Sequence, residues 1–351
     1  MEMKLHHAPG QDAGDKPYTG RPMQRIEDAS LLVGRGQYGD DVGVKPGTLQ
    51  AVVVRSPHAH AILNSIDTSR AAAAPGVRAV LTGLDIRDWS KPFVVGVKAP
   101  MEMWALAVDR VRYVGEPVAV VVADTRYLAE DAADLVVASY TELEPVTSID
   151  EAILPDAAIL HEGVGSNVVS DRSFRYGEPE AAFANAPHTV ELTVRYPRNS
   201  CTPIEGAVVV AEWQSEEEGY DVASNFMGPF SLHTVMALAL RVPGHKLRHR
   251  TFRDSGGSFG VKHAVFQYAV LMCLASRKAG APVKWVEDRL EHLAGLTSAT
   301  NRLSTIRAAV EADGRITALD YDQFDDCGGY LRAPEPATFY RMHGNLTGAY
   351  A

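Results

Sequence analysis

Apolar residues recur along this chain with two periods, one of two residues that signals strands and one of three to four that signals helices. Leu49 to Val54 is an apolar, β-rich run that reads as a strand. Thr68 caps a short alanine helix that Pro75-Gly76 stops, and a second strand follows over Val77 to Leu81. Pro117 to Val122 is apolar at every position, the pattern of a strand covered on both faces. Asp124 or Thr125 then opens a helix with Leu128, Ala132, Leu135 and Val136 on one side, completing an α/β unit that ends near Pro145.

The segment from Ser148 to Glu178 has little periodicity and contains Pro155, Gly163, Gly165 and Gly177, as a connection between domains does. Beyond it, Val190, Leu192, Val194 and Tyr196 alternate with polar residues, and Ala207 to Val210 is another apolar strand. Pro229 to Arg241 is predicted as a helix that buries Leu232, Val235, Met236 and Leu240. Lys246 to Phe252 leads into a glycine-containing loop. A mostly apolar helix over Ala264 to Lys278 follows, with Gly280 beyond its end and a strand at Pro282 to Val286. A hairpin pairs Leu303 to Ala312 with Arg315 to Phe324 around Asp313-Gly314.

With 351 residues and 46% apolar content, the chain has room for two or three domains, each with its own core. Its net charge of -10 argues against nucleic acid or an anionic membrane surface as the main partner. Cys201, Cys273 and Cys327 are scattered and outside any C-x-x-C spacing, so they cannot by themselves build a disulfide framework, a zinc site or an iron-sulfur site. The first twenty residues lack an apolar segment and contain Pro9, Gly10, Gly14, Pro17 and Gly20, which predicts a flexible arm and, by default, a cytoplasmic location. No stretch approaches the roughly 18 consecutive apolar residues of a membrane span.

Candidate chemistry is concentrated in Asp254-Ser-Gly-Gly-Ser-Phe-Gly-Val-Lys262. Glycines let the backbone approach a ligand closely, and a helix starting near His263 would add unpaired N–H groups, a combination suited to phosphate or another electron-rich group. The same pattern also describes a plain tight turn. It is not a P-loop, because His263 follows Lys262 where Ser or Thr would hold magnesium. It also lacks the G-x-G-x-x-G spacing of a nicotinamide-binding fold. His58 and His60, read as same-face strand residues, make at most half a metal site.

Several segments together resemble the molybdenum-binding subunit of the xanthine dehydrogenase and aldehyde oxidase family, including the large chain of aerobic carbon monoxide dehydrogenases. They are Arg55-Ser-Pro-His-Ala-His60, Asp67-Thr-Ser, Pro75-Gly-Val, Leu81-Thr-Gly83, Val114-Gly-Glu-Pro-Val-Ala-Val-Val-Val-Ala123 and the loop at 254–262. The resemblance implies a mixed α/β (α+β) fold: an arm over 1–22, an a/b hammerhead domain over 23–147 and a connecting segment over 148–178. The first part of a molybdopterin-binding domain would follow over 179–351.

In that family the loop lies beside molybdenum, which implies cofactor contacts from Gly256, Gly257, Ser258, Phe259 and Gly260, with Ser258 replacing a usual glycine. Upstream, Met227 and Gly228 occupy the place of a Gln-Gly pair whose amide reaches the metal's oxo ligand; a thioether cannot donate as that amide does. His263 stands where purine-hydroxylating relatives have a Glu and is the candidate substrate contact, making purine specificity doubtful. No side chain is expected to ligate the metal directly. No catalytic residue is expected either, because the family's general-base Glu lies in the several hundred residues that relatives carry beyond this match.

The resemblance further implies oxidative hydroxylation of an aldehyde, N-heterocycle or similar electron-poor carbon. It also implies a molybdenum-pterin, in its molybdopterin cytosine dinucleotide form, shared with a second molybdopterin-binding subunit, and electron transfer through separate 2Fe-2S and FAD subunits. A non-catalytic docking or assembly protein, or a fragment of a longer enzyme, is the alternative.

Overall fold

The structure is a computed structural model that describes residues 24–93, 101–171, 173–296 and 301–330. The predicted arm over 1–22 lies outside the described residues, as does the end of the chain at 331–351. The chain up to Gln37 is a unit of its own, in which one short helix, Asp28–Leu31, is flanked by an Arg25–Asp28 ion pair.

From Tyr38 onward the described residues carry thirteen strands: β1 (Leu49–Arg55), β2 (Ala61–Asp67), β3 (Val77–Thr82), β4 (Arg110–Val111), β5 (Pro117–Ala123), β6 (Val137–Glu142), β7 (His188–Tyr196), β8 (Val208–Gln214), β9 (Gly219–Ser224), β10 (Leu247–Thr251), β11 (Val283–Val286), β12 (Asn301–Val310) and β13 (Ile316–Asp326). Seven of them make one mixed sheet in the order β10-β9-β8-β11-β1-β5-β3. Its strands come from both ends of the sequence and join where Leu49 pairs with Val283 and Gln50 with Lys284 in parallel register.

The all-apolar β5 explains why this sheet needs cover on both faces. Val120 and Val122 face the long helix Val265–Ala279, whose residues from Val265 to Ser276 are all buried. Val121 and Ala123 face the opposite way, onto Ala129 and Ala132 of the helix Arg126–Ala133, which Thr125 caps by accepting from Leu128 N at 3.3 Å. Gly280, at φ +66°, ends the long helix as its position predicts.

Two three-stranded sheets, β4-β2-β6 and β13-β12-β7, flank this core. β2 and β6 are missing from the sequence reading because Asn64-Ser65 interrupts the apolar run of β2 and β6 is mostly exposed. The helix predicted over Pro229 to Arg241 is shorter, His233–Ala239. The chain from Gly228 instead makes a turn, in which Ser231 Oγ donates to Gly228 O at 3.0 Å, so Pro229 stands outside the helix. Thr68 does not cap through its side chain; Asp67 Oδ1 accepts from Ser69 N at 2.9 Å and does so in its place. The alternation in β7 also fails to give a half-buried strand, since all nine of its residues are exposed.

Beside β5, Glu116 is buried with its Oε2 accepting from Arg112 N at 2.5 Å. Burial pushes this carboxyl up from 4.5 to about 7. The folded protein therefore holds a proton through a pH range in which the unfolded chain has released it, so stability falls as pH rises from about 4.5 to about 7. This one group accounts for a loss of about 3 kcal/mol over that window. The Glu116→Gln variant is expected to lack that part of the decline in urea-unfolding free energy measured from pH 4.5 to 7.5; equal slopes in both proteins would refute the assignment.

Candidate active site

The glycine loop leaves β10 after Phe252 and returns through a 3-10 turn, Val261–Ala264, before the long helix begins at Val265. The helix thus starts later than the sequence suggests. Its expected N-terminal donors are partly committed: Val261 N donates to Ser258 O at 3.0 Å and His263 N to Gly260 O at 3.2 Å. The backbone causes this by curling through two left-handed residues, Phe259 at φ +48° and Gly260 at φ +96°. A non-glycine residue held there costs about 1–3 kcal/mol, and Phe259 is 72% exposed.

Lys262, only 1% exposed, turns inward and donates to Glu205 Oε2. The same oxygen accepts from Gly256 N at 2.7 Å, and Glu205 Oε1 accepts from Gly39 N at 3.2 Å. Burial disfavours the Glu205 charge, yet these donors overcome it and hold the carboxyl below its usual value. One carboxylate thereby clamps both ends of the loop. A Cβ on Gly256 would stand 2.7 Å from the Glu205 Cβ, so the backbone approach requires glycine there, and the Gly256 N–H is committed to the protein.

The segment that presents Glu205 is itself pinned. Arg289 Nη2 donates to Pro203 O at 2.8 Å, and Glu287 Oε2 accepts from Ala207 N at 2.8 Å. His292 Nδ1 lies 3.0 Å from Glu287 Oε2 and its Nε2 lies 2.8 Å from Cys201 O. With Glu287 ionised both neighbours are acceptors, an arrangement that favours the doubly protonated ring. The hydrogen bond to Glu287 raises the His292 pKa accordingly. Asn225 ties in the next segment, accepting from Val208 N at 2.9 Å and donating to Gly206 O at 2.8 Å.

That tie brings Met227 and Gly228 to the loop. Met227 N donates to Lys262 O at 3.4 Å, and a Cβ on Gly228 would lie 3.5 Å from His263 Cε1. The His263 ring stands edge-on to Phe226, with centroids 6.3 Å apart. Met227, Phe230, Phe259 and Ile204 are all exposed apolar residues in these segments. The Ser258 Oγ is buried and has no hydrogen-bond partner among the described residues. A donor hydroxyl kept dry, a strained loop clamped from below and exposed apolar side chains in the adjoining segments fit a large polar cofactor seated on this wall.

Sequence reasoning missed Glu205 and the residues behind it. One signal was available: Lys262, placed between Val261 and an apolar helix, needs a buried carboxylate partner, and Glu205 leads directly into an apolar strand. Other candidates do not converge. His58 and His60 lie in the bend between β1 and β2 and not on a strand; His58 packs on Tyr140 with centroids 4.7 Å apart, while His60 Nδ1 lies 2.9 Å from Glu144 O. Cys201, Cys273 and Cys327 form no disulfide with one another. Among the described residues no three His, Cys, Asp or Glu side chains are grouped to hold a metal, and no helix is long and apolar enough to cross a membrane.

Comparison with known proteins places two family models on the chain. Residues 33–144 match the aldehyde oxidase and xanthine dehydrogenase a/b hammerhead domain, and residues 160–351 match the molybdopterin cofactor-binding domain. The nicotine 6-hydroxylase large subunit of Paenarthrobacter nicotinovorans is 37% identical over 325 residues, 90% of this chain and 39% of that protein. The carbon monoxide dehydrogenase large chain of Afipia carboxidovorans is 34% identical over 94% of this chain and 42% of its own length. The crystal structure of quinoline 2-oxidoreductase from Pseudomonas putida 86 superposes with a TM-score of 0.78 at 35% identity, covering 86% of this chain and 38% of that one. The chain thus spans about two fifths of the length of these relatives.

Proposed function

This chain belongs to the aldehyde oxidase and xanthine dehydrogenase family of molybdopterin-binding subunits, and from that premise we propose that it forms one wall of a molybdenum hydroxylase active site. The facing wall, with the general base, comes from polypeptide beyond this chain. The reaction is oxidative hydroxylation of an electron-poor carbon, and the nicotine and quinoline enzymes among its relatives favour a nitrogen heterocycle as substrate. The cofactor is molybdopterin cytosine dinucleotide, and electrons leave through 2Fe-2S and FAD subunits.

The observation that carries this reading is the Ser258 hydroxyl, buried without a partner on a loop that Glu205 and Lys262 hold in a strained shape. When bound, the molybdenum-pterin group supplies two-electron oxidation coupled to oxygen transfer. Ser258 donates a hydrogen bond to it, and the Phe259 ring excludes water from its edge. Gly256, Gly257 and Gly260 let the backbone approach, while Met227 and Gly228 line the adjoining edge. His263 is placed to contact substrate.

Two measurements test the reading. An affinity tag on this chain is expected to bring down a second large polypeptide, 2Fe-2S and FAD subunits, and about one molybdenum and one pterin per chain. An assembly without pterin would identify the docking or assembly role instead. In addition, Ser258→Ala is expected to stabilise the cofactor-free protein by about 1 kcal/mol, because an unsatisfied buried hydroxyl is removed, while weakening pterin retention roughly tenfold. Equal pterin retention in both proteins would place the cofactor elsewhere.

A further inference from the structure

His249 carries a buried polar atom that the fold leaves unsatisfied. It is the middle residue of β10, and the parallel register with β9 sets it opposite Val222, two residues before Ser224. Side chains alternate along a strand, so His249, Val222 and Ser224 point to the same side of the sheet. His249 Nε2 lies 2.7 Å from Ser224 Oγ, while Nδ1 is buried and has no hydrogen-bond partner among the described residues. The space beside the ring, lined by apolar side chains that include Val222, Met236, Leu240 and Val270, is too narrow for a water molecule. Burial accordingly holds the imidazole down at about 4, with His233 as the second cause, so the ring is neutral near pH 7.

A phenylalanine would fill this position without leaving a dry nitrogen, so the polar edge of His249 needs a use that offsets its cost. What a phenylalanine would lack is the contact to Ser224. That serine, fully buried at the end of β9, also accepts through Oγ from Phe226 N at 3.3 Å. Phe226, itself buried, lies parallel to the His249 ring with centroids 5.8 Å apart and stands edge-on to the His263 ring at 77°. The same ring limits Gly228, where a Cβ would stand 3.4 Å from Phe226 Cζ and 3.5 Å from His263 Cε1. His249, Ser224 and Phe226 thus form a row that ends on His263 and on the Met227-Gly228 turn.

We propose that His249 is a positioning residue for the candidate substrate contact His263: its Nε2 holds the Ser224 hydroxyl, the hydroxyl fixes Phe226, and the Phe226 ring sets the orientation of the His263 imidazole. The hydrogen bond carries the effect, because stacking on Phe226 asks only for an aromatic ring. The inference rests on reading His263 as a substrate contact and does not depend on which substrate it meets.

The test labels the histidine Cε1 carbons of the full chain with 13C and follows the His263 Cε1–H signal by NMR, assigned through its loss in His263→Gln. Ring currents from Phe226 make that signal report the distance and angle between the two rings. His249→Phe keeps an aromatic ring and removes the hydrogen bond, and Ser224→Ala removes it from the other side. Both are expected to move the signal, as about a tenfold loss of preference for the present Phe226 position. His249→Gln keeps a polar side-chain nitrogen for Ser224 and is expected to return the signal to its wild-type place, where the exposed control His245→Ala also leaves it. A signal unmoved in Ser224→Ala, or moved as far by His249→Gln as by His249→Phe, would overturn the proposal. Pterin content of the tagged assemblies separates it from the reading it rests on. A moved signal with no pterin in the assembly removes the cofactor site and leaves the positioning of His263, while pterin with an unmoved signal does the reverse.

Discussion

The Glu205→Ala variant is expected to lose about 3–5 kcal/mol of stability and to purify with less than a tenth of the wild-type pterin. The stability loss comes from Lys262, which is 1% exposed and would keep its charge in the core with no carboxylate to face. Gly256 N and Gly39 N would lose their acceptors at the same time. Pairing the change with Lys262→Met removes the stranded charge, so the double variant is expected to recover most of the stability in urea titrations. It is not expected to recover pterin, because no carboxylate then clamps the two ends of the loop. Recovery of both together would mean that Glu205 serves the fold alone. Glu205→Gln keeps two acceptor lone pairs on one oxygen and is expected to fall between wild type and Glu205→Ala in pterin content.

The Gly260→Val variant is expected to separate the site from the fold in the opposite sense, with pterin loading reduced more than tenfold for a stability cost of only about 2 kcal/mol. Gly260 sits at φ +96°, where a β-branched residue is strongly strained, and it directly follows Phe259, itself at φ +48°. Relief of that strain would rotate the peptide between them and carry Ser258 and the Phe259 ring away from their present positions. Gly257 differs, since it is not left-handed. A Cβ there would meet the Phe259 ring at 2.5 Å, so Gly257→Val should displace the ring without backbone strain and reduce loading at a smaller stability cost. Molybdenum and pterin content of the purified assemblies, with urea midpoints measured in parallel, checks both. Wild-type loading in Gly260→Val would remove the loop from the cofactor site.

Much of the main sheet was legible because five of its strands contain continuous apolar runs and its long helix is mostly apolar, patterns that local sequence carries by itself. β1, β3, β5 and β11 fall within a residue or two of their predicted places, β8 runs on to Gln214 past its predicted end at Val210, and the long helix begins one residue later than predicted. β2 and β6 were not legible, because polar residues break the one and exposure the other. The helix at His233–Ala239 lost its first turn because Pro229, acceptable at a helix start, was used in a preceding turn that Ser231 and Gly228 close.

The candidate site divides in the same way. Gly256 to Gly260 could be found from the chain, since a run of small residues before an apolar helix is a local signal, and the ordered motifs from Arg55 to Lys262 carry the family. Glu205 was harder to find, as it lies 57 residues from Lys262 in sequence and only the need of a buried Lys262 for a carboxylate points to it. The outward-facing alternation of β7 shows the same limit: its apolar period was plain, but which side of that strand the protein itself covers was not.

The sequence by itself determined the periods of the elements, the glycines that permit a close backbone approach and the family to which the chain belongs. Only the tertiary structure decided that one sheet takes strands from both ends of the chain, that a buried Lys262 meets Glu205 beneath the loop, and that the apolar side of β7 is left open. The reason is physical. Backbone propensity and side-chain periodicity act over a few neighbouring residues, whereas the partner of a buried charge and the cover of a sheet face are set by which distant segments the closed fold brings within a few ångströms.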